Sequence, residues 1–246
     1  MNRKNLLWSV FAIMMATTLS VGFASCSSDD NDDNGIDTSP IIIYAGNKTI
    51  IKDANEVESE NDFIAFVNKD RSVEGFHVGE TFIKVNGKYR IPLTVKGKYN
   101  TYNDPVTNWG CSQSYVKSQQ TQGTLSSKST NELLVYENVG HADLLGYSFE
   151  NGKLNGIITM VKTAYTSEYA GYLAERYFMI PYETDEDTYF VGIDALETKD
   201  AKTFVMLEVY NATYLSTVYM PFSKASSSAN SKSNVIKKMK KVFPLN

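Results

Sequence analysis

The chain has 246 residues, enough for two average domains. Its 42% hydrophobic and 21% charged residues support a buried core and exclude a disordered or collagen-like chain. The formal net charge of −4 argues against nonspecific nucleic-acid binding, and only two cysteines, Cys26 and Cys111, are present.

The first residues fall into three zones. Arg3 and Lys4 give a positive start, an apolar stretch softened by Thr17, Thr18 and Ser20 follows to Phe23, and Ala24-Ser25 are small. This pattern predicts an export signal over residues 1–25. The apolar stretch approaches the ~20 residues that a spanning helix needs, but its flanks favour a signal. Phe23-Ala24-Ser25-Cys26 resembles the lipobox of bacterial lipoproteins, where lipoprotein signal peptidase cuts before a diacylated cysteine. The resemblance implies lipid on Cys26 and attachment to the outer membrane. Loss of Arg3 and Lys4 would take the formal charge to roughly −6. Cys111 would then be the one remaining thiol, so stability would rest on the core and not on a disulfide.

Residues 26–37 form a polar acidic tether, with no apolar side chain from Ser27 to Gly35. Cys26-Ser27-Ser28-Asp29-Asp30 resembles the anchor of surface lipoproteins from Bacteroides-like bacteria, which implies display on the outer face.

Residues 38–97 are short, β-rich and punctuated. Strands are predicted at Ile41–Tyr44, Thr49–Ile51, Phe63–Val67, Ser72-Val73, Thr81–Val85 and Tyr89–Val95. Asn86-Gly87 between the last two suits a type I′ turn, and Ile91, Leu93 and Val95 alternate onto one face. The run from Phe63 to Asn68, followed by Ser72 to Val85 with Val78-Gly79-Glu80-Thr81 at its centre, resembles the bacterial Ig-like (group 2) pattern. That resemblance implies a small all-β sandwich serving as a spacer or adhesive module. Phe76-His77 departs from the family, where a small residue is usual.

Residues 98–108, with Asp104-Pro105, read as a connector. The stretch from Tyr99 to Pro105, running into Trp109-Gly110-Cys111-Ser112, resembles the junction in Bacteroides-type lipoproteins between an Ig-like module and a C-terminal α+β domain with no known activity. In residues 109–246 a helix is expected after Ser112 or Ser114, ending near Gly123. Strands follow at 133–136, 145–149 and 154–162, with Asn151-Gly152 turning the last pair. Tyr169, Tyr172, Leu173 and Tyr177 share a face, predicting an amphipathic helix over 167–177 with its tyrosines in the core. Strands at 178–182, 189–193, 204–210 and 214–222 complete a curved antiparallel sheet with helices on one face, which resembles a TBP-like arrangement. After a Ser-rich connector, Val235, Ile236, Met239, Val242 and Phe243 oppose Lys237, Lys238, Lys240 and Lys241. This basic amphipathic helix either packs on the second domain or lies on an anionic membrane.

Residues suited to chemistry are few. The two histidines, His77 and His141, fall in different domains, which disfavours a His-paired metal site. His141-Ala142-Asp143 offers an imidazole near a carboxylate, as any polar loop can. Cys111 precedes a helix, where a thiol pKa can fall, and a cysteine hydrolase would need His141 as its base; the alternative is a small buried residue at a tight junction. Glu183, Asp185, Glu186 and Asp187 lack the spacing of an EF-hand. Glu168 and Glu175 are expected on the polar side of the second helix, without a partner that would suggest a glycosidase pair. No GxSxG elbow, phosphate-binding loop, dinucleotide fingerprint or HExxH is present. The sequence therefore leads to a lipid-anchored, noncatalytic binding or adhesion protein that uses no cofactor or metal, with a glycan or protein as ligand. A surface hydrolase using Cys111 and His141, or an unrecognised carboxylate pair, is the rival reading.

Overall fold

The structure is a computed structural model that describes residues 22–23, 35–183 and 188–223. The chain divides into two compact units. One comprises Ile13–Tyr99 with Gly171–Arg176; the other comprises Met1–Ala12, Asn100–Ala170 and Tyr177–Asn246. The division at Tyr99 lies inside the expected connector. Both units are mostly β-structure.

In the first unit, period-two patterning makes the strands. On β7 (Gly79–Val85) and β8 (Tyr89–Lys96), Thr81, Ile83, Val85, Ile91, Leu93 and Val95 are buried while their neighbours face outward. Asn86 and Gly87 join the pair with φ of 52° and 63°, as a type I′ turn requires. The Asn86 side chain adds a tie, its Oδ1 accepting from the amides of Asn55 at 2.8 Å and Glu56 at 3.0 Å.

Strand β2 (Ile41–Tyr44) runs parallel to β8, and β4 (Val57–Ser59) runs antiparallel to β7, giving the order β2-β8-β7-β4. A second sheet has the order β1-β3-β6-β5, from Gly22–Phe23, Asn47–Thr49, Val73–Gly75 and Ala65–Val67. Ile43, Ile83, Ile91 and Val95 from one sheet share a single apolar cluster with Ala65 and Val73 from the other.

Two strand boundaries move, and the first is that the strand expected at Thr49–Ile51 lies at Asn47–Thr49. The strand expected from Phe63 begins at Ala65, because the Asn61 carbonyl accepts from the amides of Ile64 and Ala65 and forms a turn there. His77 is a buried packing residue. Its ring stacks on Phe63 at 3.9 Å, and its Nδ1 lies 2.7 Å from the Phe63 carbonyl oxygen.

The second unit is organised by one eight-stranded antiparallel sheet, β13-β14-β15-β16-β12-β11-β10-β9. Its members are β9 (Thr124–Leu125), β10 (Leu133–Val139), β11 (Ala142–Glu150), β12 (Lys153–Lys162), β13 (Phe178–Glu183), β14 (Thr188–Ile193), β15 (Thr203–Val209) and β16 (Tyr214–Pro221). Strands β9 to β12 follow one another as neighbours. The turn Thr163–Tyr165 and helix α2 (Thr166–Ala174) then carry the chain to the far edge, from which β13 to β16 return until β16 lies beside β12. Helix α1 (Gln113–Gln119) is capped by Ser112, whose Oγ accepts from the Tyr115 amide at 3.3 Å. It stops short of Gly123, and α2 ends at Ala174 instead of reaching residue 177.

The expected α+β content is thus, among the described residues, a sheet with two short helices. Four strands precede α2 instead of three, since the two-residue β9 adds an edge. The C-terminal amphipathic segment, the acidic tether before Gly35 and Asp185–Asp187 lie outside the described residues.

Residues paired directly across a sheet project to the same side. One face of the large sheet therefore carries the row Leu134, Tyr147, Ile157, Tyr219, Val205, Gly192, Met179. This face is covered. Tyr169 of α2 donates its Oη hydrogen to Thr217 Oγ1 at 2.8 Å, and Tyr147 Oη donates to Gln120 Oε1 at 2.7 Å while accepting from the Val106 amide at 3.1 Å. Tyr169 and Tyr172 of α2 are buried, as their helical spacing predicts, and Tyr177, beyond the end of the helix, is buried as well. The opposite face carries the row Val135, Gly146, Ile158, Val218, Met206, Val191, Ile180.

Candidate functional site

That opposite face changes character along its width. Ile158 and Val218 are each 1% exposed, whereas Phe178, Ile180 and Tyr182 on β13 are 45%, 47% and 56% exposed. These three alternate along β13 and so share one side. Half-buried Val191 and Ile193 on β14, with Phe204 and Met206 on β15, continue the apolar surface inward. A contiguous exposed patch of this composition is the surface feature most often tied to ligand or partner contact. Aromatic rings add stacking faces for a sugar or an apolar side chain.

Strand β13 is legible in the sequence, but its exposed row is not. Phe178-Met179-Ile180-Pro181-Tyr182 is apolar on both sides and reads like a buried strand. The signal that points outward is Pro181, which lacks an amide and belongs on a sheet edge.

A second constellation gathers around His141, in the turn between β10 and β11. Its Nδ1 lies 3.1 Å from Glu168 Oε2, its ring stacks on Tyr165 at 4.5 Å, and Tyr102 meets it edge-on at 5.8 Å. Thr101 Oγ1 donates to the other Glu168 oxygen, and the His141 amide donates to the Thr101 carbonyl at 3.0 Å. Burial, with Glu168 nearby, pushes the Tyr102 phenol well above its ordinary value. A half-exposed imidazole oriented by a carboxylate can bind a polar group or relay a proton.

The partner suggested by sequence spacing, Asp143, is engaged elsewhere. It accepts from Tyr214 Oη at 2.8 Å and pairs with Lys162 at 3.3 Å, and its hydrogen bond raises the Tyr214 phenol. The carboxylate that reaches His141 comes from α2, a neighbour created by folding.

Cys111 is held through its backbone. Its amide donates to the Asn108 carbonyl at 3.1 Å, and its carbonyl accepts from the Leu154 amide at 2.9 Å. Partial burial pushes the thiol pKa up, which disfavours the thiolate that a nucleophile needs. Cys111 shares no hydrogen bond with His141; the two hold separate sets of partners.

Glu175, expected on a polar helix face, is instead buried. It belongs to the first unit, where its two carboxylate oxygens accept from the amides of Lys98 at 2.9 Å and Tyr99 at 3.1 Å. Its backbone carbonyl also accepts from the Val78 amide at 2.7 Å. Desolvation raises its pKa, against the opposing pull of those amides and of Arg176 and Lys98. Among the described residues, no group of three or more His, Cys, Asp or Glu side chains is placed to hold a metal ion, and no helix is long and apolar enough to cross a membrane.

No protein-family model matches the chain, and neither does any curated protein. Among solved structures it is similar to the surface layer protein SbsC, domains 1–6, at 16% identity and a TM-score of 0.21. That similarity covers 73% of this chain and 24% of the other, so the chain spans about a quarter of the surface layer protein's length. At that TM-score the superposition contributes nothing to fold or function, and both rest on this chain's own residues.

Proposed function

We propose that this chain is a lipid-anchored, noncatalytic surface protein that binds a glycan or protein through the exposed apolar row Phe178, Ile180 and Tyr182. The observation that carries the reading is the exposure of three large apolar side chains in register on an edge strand, where a solitary soluble domain gains nothing by leaving them in water. The lipobox-like Phe23-Ala24-Ser25-Cys26 and the acidic tether supply the anchor and the stand-off from the outer membrane. In this reading the first unit is an Ig-like spacer, supported by its two sheets around one core and by the parallel pairing of β2 with β8. The second unit is an α+β, TBP-like domain, supported by the helix laid on one sheet face.

Glycan and host-protein arrays probed with the chain test the proposal. Bound ligand should be retained chemically unchanged, and Ile180→Lys should abolish retention without loss of fold. Retention that survives Ile180→Lys would overturn the assignment to β13. For the anchor, a palmitate analogue should label the wild type and leave Cys26→Ala unlabelled and released from membranes.

A further inference from the structure

We propose that His141 is the hydrogen-bond acceptor of a subsite for a neutral sugar, built at the β10–β11 turn and independent of the row on β13. Its Nδ1 lies 3.1 Å from Glu168 Oε2, and Thr101 Oγ1 donates to the other oxygen of that carboxylate. A carboxylate only accepts, so Nδ1 carries the proton and, in the neutral ring, Nε2 presents a lone pair. Among the described residues, Nε2 has no hydrogen-bond partner.

The two histidines of the chain separate a site from packing. His77 also sets its Nδ1 against a fixed oxygen and stacks on an aromatic ring, yet it is 2% exposed and enclosed by the core. His141 is restrained in the same way with 39% of its side chain in water. The turn that carries it is specialised. Gly140 holds φ at 59°, and a Cβ there would run into the Thr101 carbonyl oxygen, which accepts from the His141 amide at 3.0 Å. Asn138 holds φ at 58°. The register of β11 against β12 slips by one residue between Ala142 and Leu144, a bulge that gives Asp143 to Tyr214 and Lys162 and leaves the imidazole to Glu168. Bulges recur beside functional sites because they re-aim a side chain.

Chemistry narrows the ligand. A lone pair beside the negative Glu168 takes a donor and repels an anion. A metal ion needs further ligands, and no group of three His, Cys, Asp or Glu side chains is placed for one among the described residues. The cation on β12, Lys162, is paired with Asp143. Half-buried Tyr165 and the imidazole stacked on it offer flat faces. The C–H side of a pyranose stacks on such a face while one of its hydroxyls donates to Nε2.

The test uses the full-length chain and diethyl pyrocarbonate, which attacks an unprotonated imidazole nitrogen, with carbethoxylation read for each histidine by peptide mass spectrometry at slightly alkaline pH. His141 should react and His77 should not. Glucose, galactose, mannose, fucose and N-acetylglucosamine are the probes. At least one should slow the His141 reaction severalfold, while its O-methylated derivative, inorganic phosphate and free lysine should not. Saturation-transfer NMR should show the protecting sugar bound, and His141→Phe, which keeps a stacked ring and loses the acceptor, should weaken binding roughly threefold to tenfold, the worth of one hydrogen bond. An unreactive His141, no protection by any of these sugars, equal protection by the O-methylated sugar, phosphate or lysine, or unchanged sugar binding in His141→Phe would each overturn the proposal. Ile180→Lys should leave protection intact, so failure of the β13 assignment and failure of this subsite are read separately; loss of protection in that variant would overturn the independence of the two sites.

Discussion

The first unit encloses its core between two sheets of its own, whereas the second spreads a single wide sheet whose two faces meet different fates. In the first, β7 and β8 alternate between buried and outward positions. In the second, β11, β12 and β16 are buried at nearly every central position on both sides. Alternation marks a sheet with one wet face. Continuous burial marks a sheet that needs a layer on each side. The described layer lies on one side only, and the remaining side grades from closed at β12 to open at β13.

The largest expected effect falls on the self-contained core. Ile91 is fully buried between the two sheets of the first unit, and Ile91→Ala should cost about 2–5 kcal/mol by chemical denaturation. A loss much below this range would mean that the two sheets do not share one packed interior.

Glu175→Gln comes next, at about 1–3 kcal/mol, because an amide can accept from only one of the two backbone donors that the carboxylate satisfies. This site also predicts a pH signature. The folded pKa of Glu175 is raised by burial, so its contribution is fully present below the ordinary glutamate range and is lost as pH rises through the raised value. Wild type should therefore lose stability relative to Glu175→Gln as pH rises above that range. The surface carboxylates Glu60, lowered by Arg90, and Asp70, lowered by Ser72, act in the opposite sense and weaken the fold as pH falls. Melting curves from pH 4 to 8 on both proteins separate the two trends.

A smaller effect is expected at the turn of the large sheet. Asn151 holds φ at 51° beside Gly152, and Asn151→Ala should cost about 1 kcal/mol, since alanine tolerates the left-handed region poorly. Smallest of all on stability is Ile180→Lys, expected within about 0.5 kcal/mol of wild type because the side chain is already half in water. This is the sharpest test of the contrast between the closed and open halves of the face. A cost of several kcal/mol would place Ile180 in a core.

Strand rhythm, both Asn-Gly turns, the Ser112 cap and the tyrosine face of α2 are legible in the amino-acid sequence, because each depends on residues within a few positions of one another. Period-two burial, positive φ tolerance and an N-cap hydroxyl are local physics, and they survive folding unchanged. Adjacency across long separations is not written in local pattern. Nothing in the spacing of His141 announces Glu168, and helical periodicity places Glu175 on a polar face when Lys98 and Tyr99, far away in the chain, claim both of its oxygens. The exposure of Phe178, Ile180 and Tyr182 is equally hidden, because whether an apolar strand is central or lies at an edge depends on which strands pair beside it. The chain's own pattern thus determined most of its strands and its turns. Only tertiary structure decided which carboxylates meet which donors and which apolar surface stays open, since those outcomes depend on sheet order and on the layers that cover each face.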